Sequence, residues 1–209
     1  MFSLQTMFGK GDKFYGLLEA SADAARQSTR ALTALLNAPV SSRSLDEFRL
    51  ARRREKELFA QIGAALVDTF VTAIDREDIE ALAGALYKIP KTVEKFAERY
   101  VLFADRLADV DFASRAVMLE KAADVIVQMT GQLRSGFKLD VMRDLNERMQ
   151  SIESEADRLI LDLYRDLFTN ERDPAKLLLR KDLFELLEKA IDRCRDAGNV
   201  IFQIVLKNS

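Results

Sequence analysis

LNERMQSIESEADRLILDL (145–163) and LFELLEKAIDRCRDAGNVIFQIV (183–205) decide the fold. In the first stretch Leu145, Met149, Ile152, Ala156, Leu159 and Leu163, followed by Leu167, recur at spacings of three and four. In the second, Leu183, Leu187, Ala190, Cys194, Ala197, Ile201 and Val205 do the same. Such spacing lays one apolar stripe along an α-helix. Two stripes joined by a short turn predict an antiparallel helical hairpin. The turn is marked by Asp173 as an N-cap and Pro174 at the first helical position, where a missing N–H costs nothing.

The same period runs outward through the chain. Helix one is predicted from about Asp12 to Asn37, stopping before Pro39. Helix two opens on Ser44, followed three residues on by Glu47 in the pattern of a capping box, and continues to about Val71. Helix three starts near Asp75, with the acidic first turn Arg76-Glu77-Asp78, and runs to about Leu107. Pro90 is expected to kink or break it, because proline lacks the backbone donor and clashes with the preceding turn. Helix four covers about Phe112 to Ser135 and ends at Gly136. Helices five and six cover about Leu139 to Asn170 and Asp173 to Leu206. No segment alternates with period two, so the expected class is all-α, with six long helices.

An offset of 101 residues carries Leu18 onto Leu119, Ala22 onto Ala123, Leu32 onto Leu133, Leu58 onto Leu159, Leu82 onto Leu183 and Leu86 onto Leu187. Apolar matches between amphipathic helices are weak evidence alone. With three helices per half they predict two related three-helix units in a single domain, repeat one spanning about 10–108 and repeat two about 109–209.

Composition excludes several classes. The chain has 209 residues, with 3 Pro and 8 Gly, too little punctuation for anything but long helices. A formal net charge of -2 argues against non-specific nucleic-acid binding. There is no His, which removes histidine general bases, Ser-His and Cys-His nucleophiles and most zinc sites. Any metal must then be held by oxygen ligands, which suits hard cations or carboxylate-bound iron or manganese. The lone Cys194 rules out an internal disulfide, and its place in an apolar stripe predicts burial. No apolar run spans a membrane, and Met1 to Lys10 lacks the pattern of a secretory signal, so a cytoplasmic protein is expected. The greasy start, Phe2, Leu4, Met7, Phe8, Phe14 and Tyr15, is expected to dock on the bundle. No Gly-rich phosphate-cradling loop occurs, and no catalytic residue is assigned.

The hairpin also concentrates acid. Glu153 and Asp157 are four residues apart, as are Glu188 and Asp192, so each pair shares a helix face. Both cross-pairs, Asp157 with Glu188 and Glu153 with Asp192, centre on the Arg172–Asp173 bond. In an antiparallel hairpin each cross-pair is level, about 15 residues or roughly 23 Å from the turn at 1.5 Å per residue. Opposed carboxylates repel unless protonated or bridged by cations. Two readings follow. The acids hold a metal ion, or they form a solvated flank neutralised by Arg158, Lys189, Arg193 and Arg195.

The segment Thr69-Phe70-Val71-Thr72-Ala73-Ile74-Asp75-Arg76-Glu77-Asp78-Ile79 resembles the hairpin turn of PhoU-like proteins, in the branch associated with low-affinity phosphate transporters. The acidic runs at Glu153 to Asp157 and Glu188 to Asp192 resemble that family's repeated acidic motifs. The resemblance covers nearly the whole chain. It implies two pseudo-symmetric three-helix bundles and metal-binding carboxylates on the second and third helix of each. It implies a regulator or accessory of phosphate uptake, in contact with a phosphate transporter or associated signalling protein at the inner face of the membrane. Glu153, Asp157, Glu188 and Asp192, with Asp196 one turn on, are the implied ligands of iron, manganese, magnesium or zinc.

The first half departs from that pattern. The 101-residue offset takes the four acids to Arg52, Lys56, Tyr87 and Lys91, with Lys88 adjacent. No metal cation is expected there. Arg52, Lys56 and Lys91 either hold an anion such as phosphate or pair with acids. Glu55, Glu57 and Glu94 are the local candidates for that pairing.

The expected function is a non-enzymatic accessory protein of phosphate transport, self-associating as such proteins ordinarily do. Two other classes stand beside it. A carboxylate-bridged metalloenzyme is disfavoured by the missing Glu-x-x-His motif. A purely structural oligomerisation module predicts that mutating the acids changes assembly and leaves phosphate handling alone.

Overall fold

A computed structural model describes residues 4–39, 42–107 and 109–209, with side chains from Lys13 onward. Its six long helices are α1 (Leu4–Asn37), α2 (Asp46–Asp68), α3 (Arg76–Leu102), α4 (Ala113–Arg134), α5 (Leu139–Asn170) and α6 (Pro174–Asn208). A 3₁₀ turn, Ala104–Arg106, follows α3, and the described residues contain no strand. No helix among them is long and apolar enough to cross a membrane.

The punctuation acts as chemistry requires in the second half. The Asp173 carboxylate accepts from the backbone N–H of Ala175 at 2.8 Å and of Lys176 at 3.5 Å, satisfying two orphan donors at the start of α6. Gly136 takes φ +91° just after α4, a left-handed conformation that glycine adopts without a Cβ clash.

Three local expectations are corrected. Helix α1 begins at Leu4, well before Asp12, because Gly9 and Gly11 are tolerated inside it. Helix α2 begins at Asp46 without the Ser44–Glu47 capping box. Ser44 Oγ instead accepts from the Asp46 backbone N–H at 3.1 Å and donates to the Asp46 carboxylate at 2.9 Å. Helix α3 runs unbroken through Pro90. Ile89, Pro90, Val93 and Phe96 are all buried there. At ~1.5–3 kcal/mol per buried large apolar side chain, their packing outweighs a proline penalty of ~3 kcal/mol. The docking expected of Phe2, Leu4, Met7 and Phe8 lies outside the described side chains, whereas Phe14 is in the core.

Helices α1, α2 and α3 pack on one another, and so do α4, α5 and α6. The two units join by α1 lying along α4 and α3 along α6. The repeat seen in sequence is a repeat in burial: Leu18 and Leu119, Ala22 and Ala123, Leu32 and Leu133, Leu82 and Leu183, and Leu86 and Leu187 are all core residues. One hydrophobic cluster runs through both units. At the seam Phe112, preceding α4, packs edge-on to Phe96 of α3 at 5.5 Å and against Phe184 of α6 at 5.4 Å between centroids. Polar ties reinforce it. Arg134 forks onto Glu19 with two bonds of 2.9 Å, Thr33 donates to Glu120 at 3.0 Å, and Lys207 donates to Asp78 at 2.7 Å.

Candidate functional site

The second hairpin, α5 with α6, brings the acids to one region, as the level-pair geometry requires. Burial raises the Glu188 carboxyl above its usual range, and repulsion from Asp192, Asp157 and Glu185 adds to the rise. Burial likewise raises Asp192, with Asp157 and Asp196 adding and Arg195 opposing. Asp157 is thus felt from both sides of the α6 pair. Each of these acids flanks the apolar stripe, beside buried Ile152, Ala156, Leu187 and Ile191.

Glu153 is drawn elsewhere. Its carboxylate accepts from the Arg195 guanidinium, which projects from the next turn of α6. Arg195 also lies 3.7 Å from Asp192 and 3.9 Å from Asp196. Against the opposing effect of burial, Glu153 and Asp192 hold that guanidinium still more firmly charged. Arg193 takes Asp196 at 3.0 Å. Of the four cations offered by the sequence as neutralising partners, Arg195 pairs with Glu153 across the hairpin, and Arg193 pairs with Asp196 on α6.

A carboxylate-bound metal needs several oxygens at about 2.0–2.6 Å from one point. Among the described residues no three acids or thiols are grouped to hold one ion. The acids of this hairpin share their region with the Arg195 guanidinium.

The first hairpin, α2 with α3, shows the opposite polarity. Arg52 is buried and fully engaged. Its guanidinium donates to the Tyr87 carbonyl at 3.3 Å and the Tyr87 hydroxyl at 3.1 Å, and approaches Glu94 at 3.4 Å. It also lies 4.6 Å from the centre of the Tyr87 ring, a cation–π contact. The Arg52 hydrogen bond, with the nearby charges of Lys56 and Lys91, lowers the Tyr87 phenol below its ordinary range. Of the anion set anticipated, Arg52, Lys56 and Lys91 do surround Tyr87, but the Arg52 fork is turned inward onto Tyr87 and Glu94. The pairing reading describes Arg52.

Sequence reasoning missed a buried contact one turn from Arg52. Glu55 is fully buried, and Ser21 of α1 donates to its carboxylate at 2.9 Å. Burial pushes this carboxyl up to about 7, against the lowering effects of the Ser21 hydrogen bond and the Arg52 charge. The 101-residue offset takes Glu55 to Ala156, which was the available signal: an acid where the repeat has a core alanine.

The α2–α3 turn is the other distinctive surface. Arg76 reaches back and donates to the Thr69 carbonyl at 2.6 Å and to the Leu66 carbonyl, tying down the last carbonyls of α2. On this fixed turn Phe70 is 97% exposed and Val67 84%, with Val71 beside them at 52%. A large apolar group held in water on a braced turn is the form of a contact surface.

No protein-family model matches the chain. It is 23% identical over 201 residues, 94% of each chain, to a Rhizobium meliloti (strain 1021) protein described as a pit accessory protein. It is 26% identical over 140 residues to the UPF0111 protein YkaA of Bacillus subtilis (strain 168), covering 67% of this chain and 68% of that one. Among solved structures, a PhoU-like protein from Shewanella oneidensis MR-1 superposes with a TM-score of 0.82 at 17% identity, over 92% of this chain and 99% of that one. A second from the same organism, described as a PhoU-like phosphate regulatory protein, gives 0.78 over 93% and 99%. The fold is the PhoU-like fold.

Proposed function

We propose that this chain, which has the PhoU-like fold, is a non-catalytic accessory protein of inorganic phosphate uptake. It acts by protein contact at the cytoplasmic side of a low-affinity phosphate transporter. The observation that carries the reading is the end-to-end correspondence with the pit accessory relative, 94% of each chain. The PhoU-like regulatory neighbours agree with it in fold.

The geometry supports the contact mechanism. Arg76 braces the α2–α3 turn, so Val67, Phe70 and Val71 are presented with little conformational entropy left to lose on docking. Asp68, Asp75 and Glu77 are exposed around this apolar tip. An acidic rim complements the excess of Lys and Arg that membrane proteins carry in their cytoplasmic loops. The test is binding of the purified chain to the transporter of the same organism reconstituted in lipid nanodiscs. Saturable binding that is weakened by Phe70→Asp and by raised salt is expected. Absence of binding to the loaded nanodiscs beyond that to empty ones contradicts the contact mechanism.

A further inference from the structure

We propose that Arg195 is the resident cation of the α5–α6 hairpin, closing its acidic cluster in the position where a metal ion would otherwise be required. The ion pairs carry this role for Arg195 whether or not the chain serves phosphate transport.

The first support is placement. The Arg195 guanidinium binds Glu153 of α5 and lies 3.7 Å and 3.9 Å from Asp192 and Asp196 of α6. One group thus bridges the two helices one turn along from Asp192. A guanidinium is planar, carries five donors and keeps its charge at any pH the fold experiences. It can serve several carboxylates at once without demanding the short, radial oxygen geometry of a metal.

The second support is independent and comes from the repeat. The 101-residue offset that pairs core positions takes Glu153 to Arg52 and Arg195 to Glu94. Arg52 and Glu94 also form an ion pair, at 3.4 Å. Both hairpins therefore place an interhelical pair at the same two positions, with the charges exchanged. In the first hairpin Arg52, Lys56 and Arg49 act on Glu94, with Glu98 and the buried Glu55 nearby. In the second, acidic residues surround Arg195, with Arg193 paired to Asp196 beside it. A shared solution of opposite sign in both halves is what internal neutralisation produces, and it needs no ion from solution.

The consequence is competitive. A divalent ion that enters the second hairpin must displace a guanidinium from Glu153, whose side chain is only 16% exposed. Removing the guanidinium should open the acids to a metal. The experiment is titration of the full chain and its Arg195→Gln variant with manganese(II), read by calorimetry and by electron paramagnetic resonance, with melting temperatures at each concentration. Arg195→Gln is expected to bind manganese(II) at least ~tenfold more tightly than the unmodified chain, about 1.4 kcal/mol. It is also expected to melt lower in metal-free buffer and to regain that loss with added manganese(II). Arg193→Gln, which removes the pair to Asp196 and leaves the Arg195–Glu153 bridge in place, should raise manganese binding less than Arg195→Gln does. Should Arg195→Gln fail to fold, Arg195→Lys keeps the charge, loses the fork and makes the same comparison at smaller amplitude. Manganese(II) binding equally to both proteins, or more tightly to the unmodified chain, overturns the proposal. So does a variant that gains no metal affinity.

Discussion

Arg195 stands in the second hairpin where Glu94 stands in the first. Each faces its partner across the interhelical groove, Glu153 and Arg52 respectively, 101 residues apart along the chain. This charge-exchanged pair ties the repeat seen in sequence to the electrostatics of both hairpins. Arg52 is the more buried of the two arginines, at 8% side-chain exposure. Arg52→Ala leaves Glu94 short of a partner and bares the Tyr87 ring, so a loss of roughly 2 kcal/mol is expected in urea unfolding. The exchange Arg52→Glu with Glu94→Arg converts the first pair into the polarity of the second. Its cost should fall short of the summed single changes by about 1 kcal/mol or more. Strict additivity would show that the pair does not couple.

Glu55 gives the fold a pH dependence. Burial holds its carboxyl up to about 7 in the folded chain, above the ordinary carboxylate value of the unfolded one. Below the unfolded value both states are protonated and the full stability is present. As pH rises toward 7 the unfolded chain ionises first, and stability is lost across that window. Above 7 the loss is complete. Glu55→Gln should remove this slope and stabilise the chain at pH 8 by roughly 1–3 kcal/mol, with the amide still able to accept from Ser21. Denaturant midpoints measured from pH 4 to 8 on both proteins check it. An unchanged slope in the variant assigns the dependence to other groups.

Cys194 is wholly buried, and burial pushes its thiol up to about 12. Thiolate is the reactive form, so the native thiol should resist iodoacetamide and disulfide reagents at pH 8 and react fully once unfolded. Its rate of modification reports opening of the core around α6. Cys194→Ser puts an unsatisfied hydroxyl among Leu187, Ala190, Ala197 and Ile201, and a loss of about 1–3 kcal/mol is expected in thermal unfolding.

Phe70 separates contact from stability. At 97% exposure it contributes little to the fold, so Phe70→Asp should leave the melting temperature within about 1 °C. Arg76→Ala frees the Leu66 and Thr69 carbonyls and loosens the turn, so it should weaken partner binding while Phe70 remains in place. Nanodisc binding by both variants, compared with circular dichroism, distinguishes a lost anchor from a lost brace.

Sequence made the helices of the second half legible almost residue by residue, because Gly136, Asp173 and Pro174 mark their ends with unambiguous backbone chemistry. It misplaced the start of α1, because Gly9 and Gly11 just before Asp12 are tolerated inside the helix. It overvalued Pro90 and the Ser44–Glu47 pattern, since a local penalty or cap of a few kcal/mol yields to the packing of a long buried helix. The convergence of Asp157, Glu188 and Asp192 followed from register alone. Which cation serves them did not. Arg158, Lys189, Arg193 and Arg195 all lie within a turn of an acid, and only the rotation of α6 on α5 brings Arg195 onto Glu153. The Arg52–Glu94 pair was visible as a possibility, yet its kinship with Glu153–Arg195 appears only when the repeat is carried beyond the apolar positions.

The most direct test of the account is radiolabelled phosphate uptake in cells that carry the low-affinity transporter and lack this protein. Uptake should differ between cells re-expressing the unmodified chain and cells without it. Phe70→Asp, present at equal abundance, should behave as the cells without it. Equal uptake in all three strains, with the transporter present at equal levels, contradicts a role in phosphate transport.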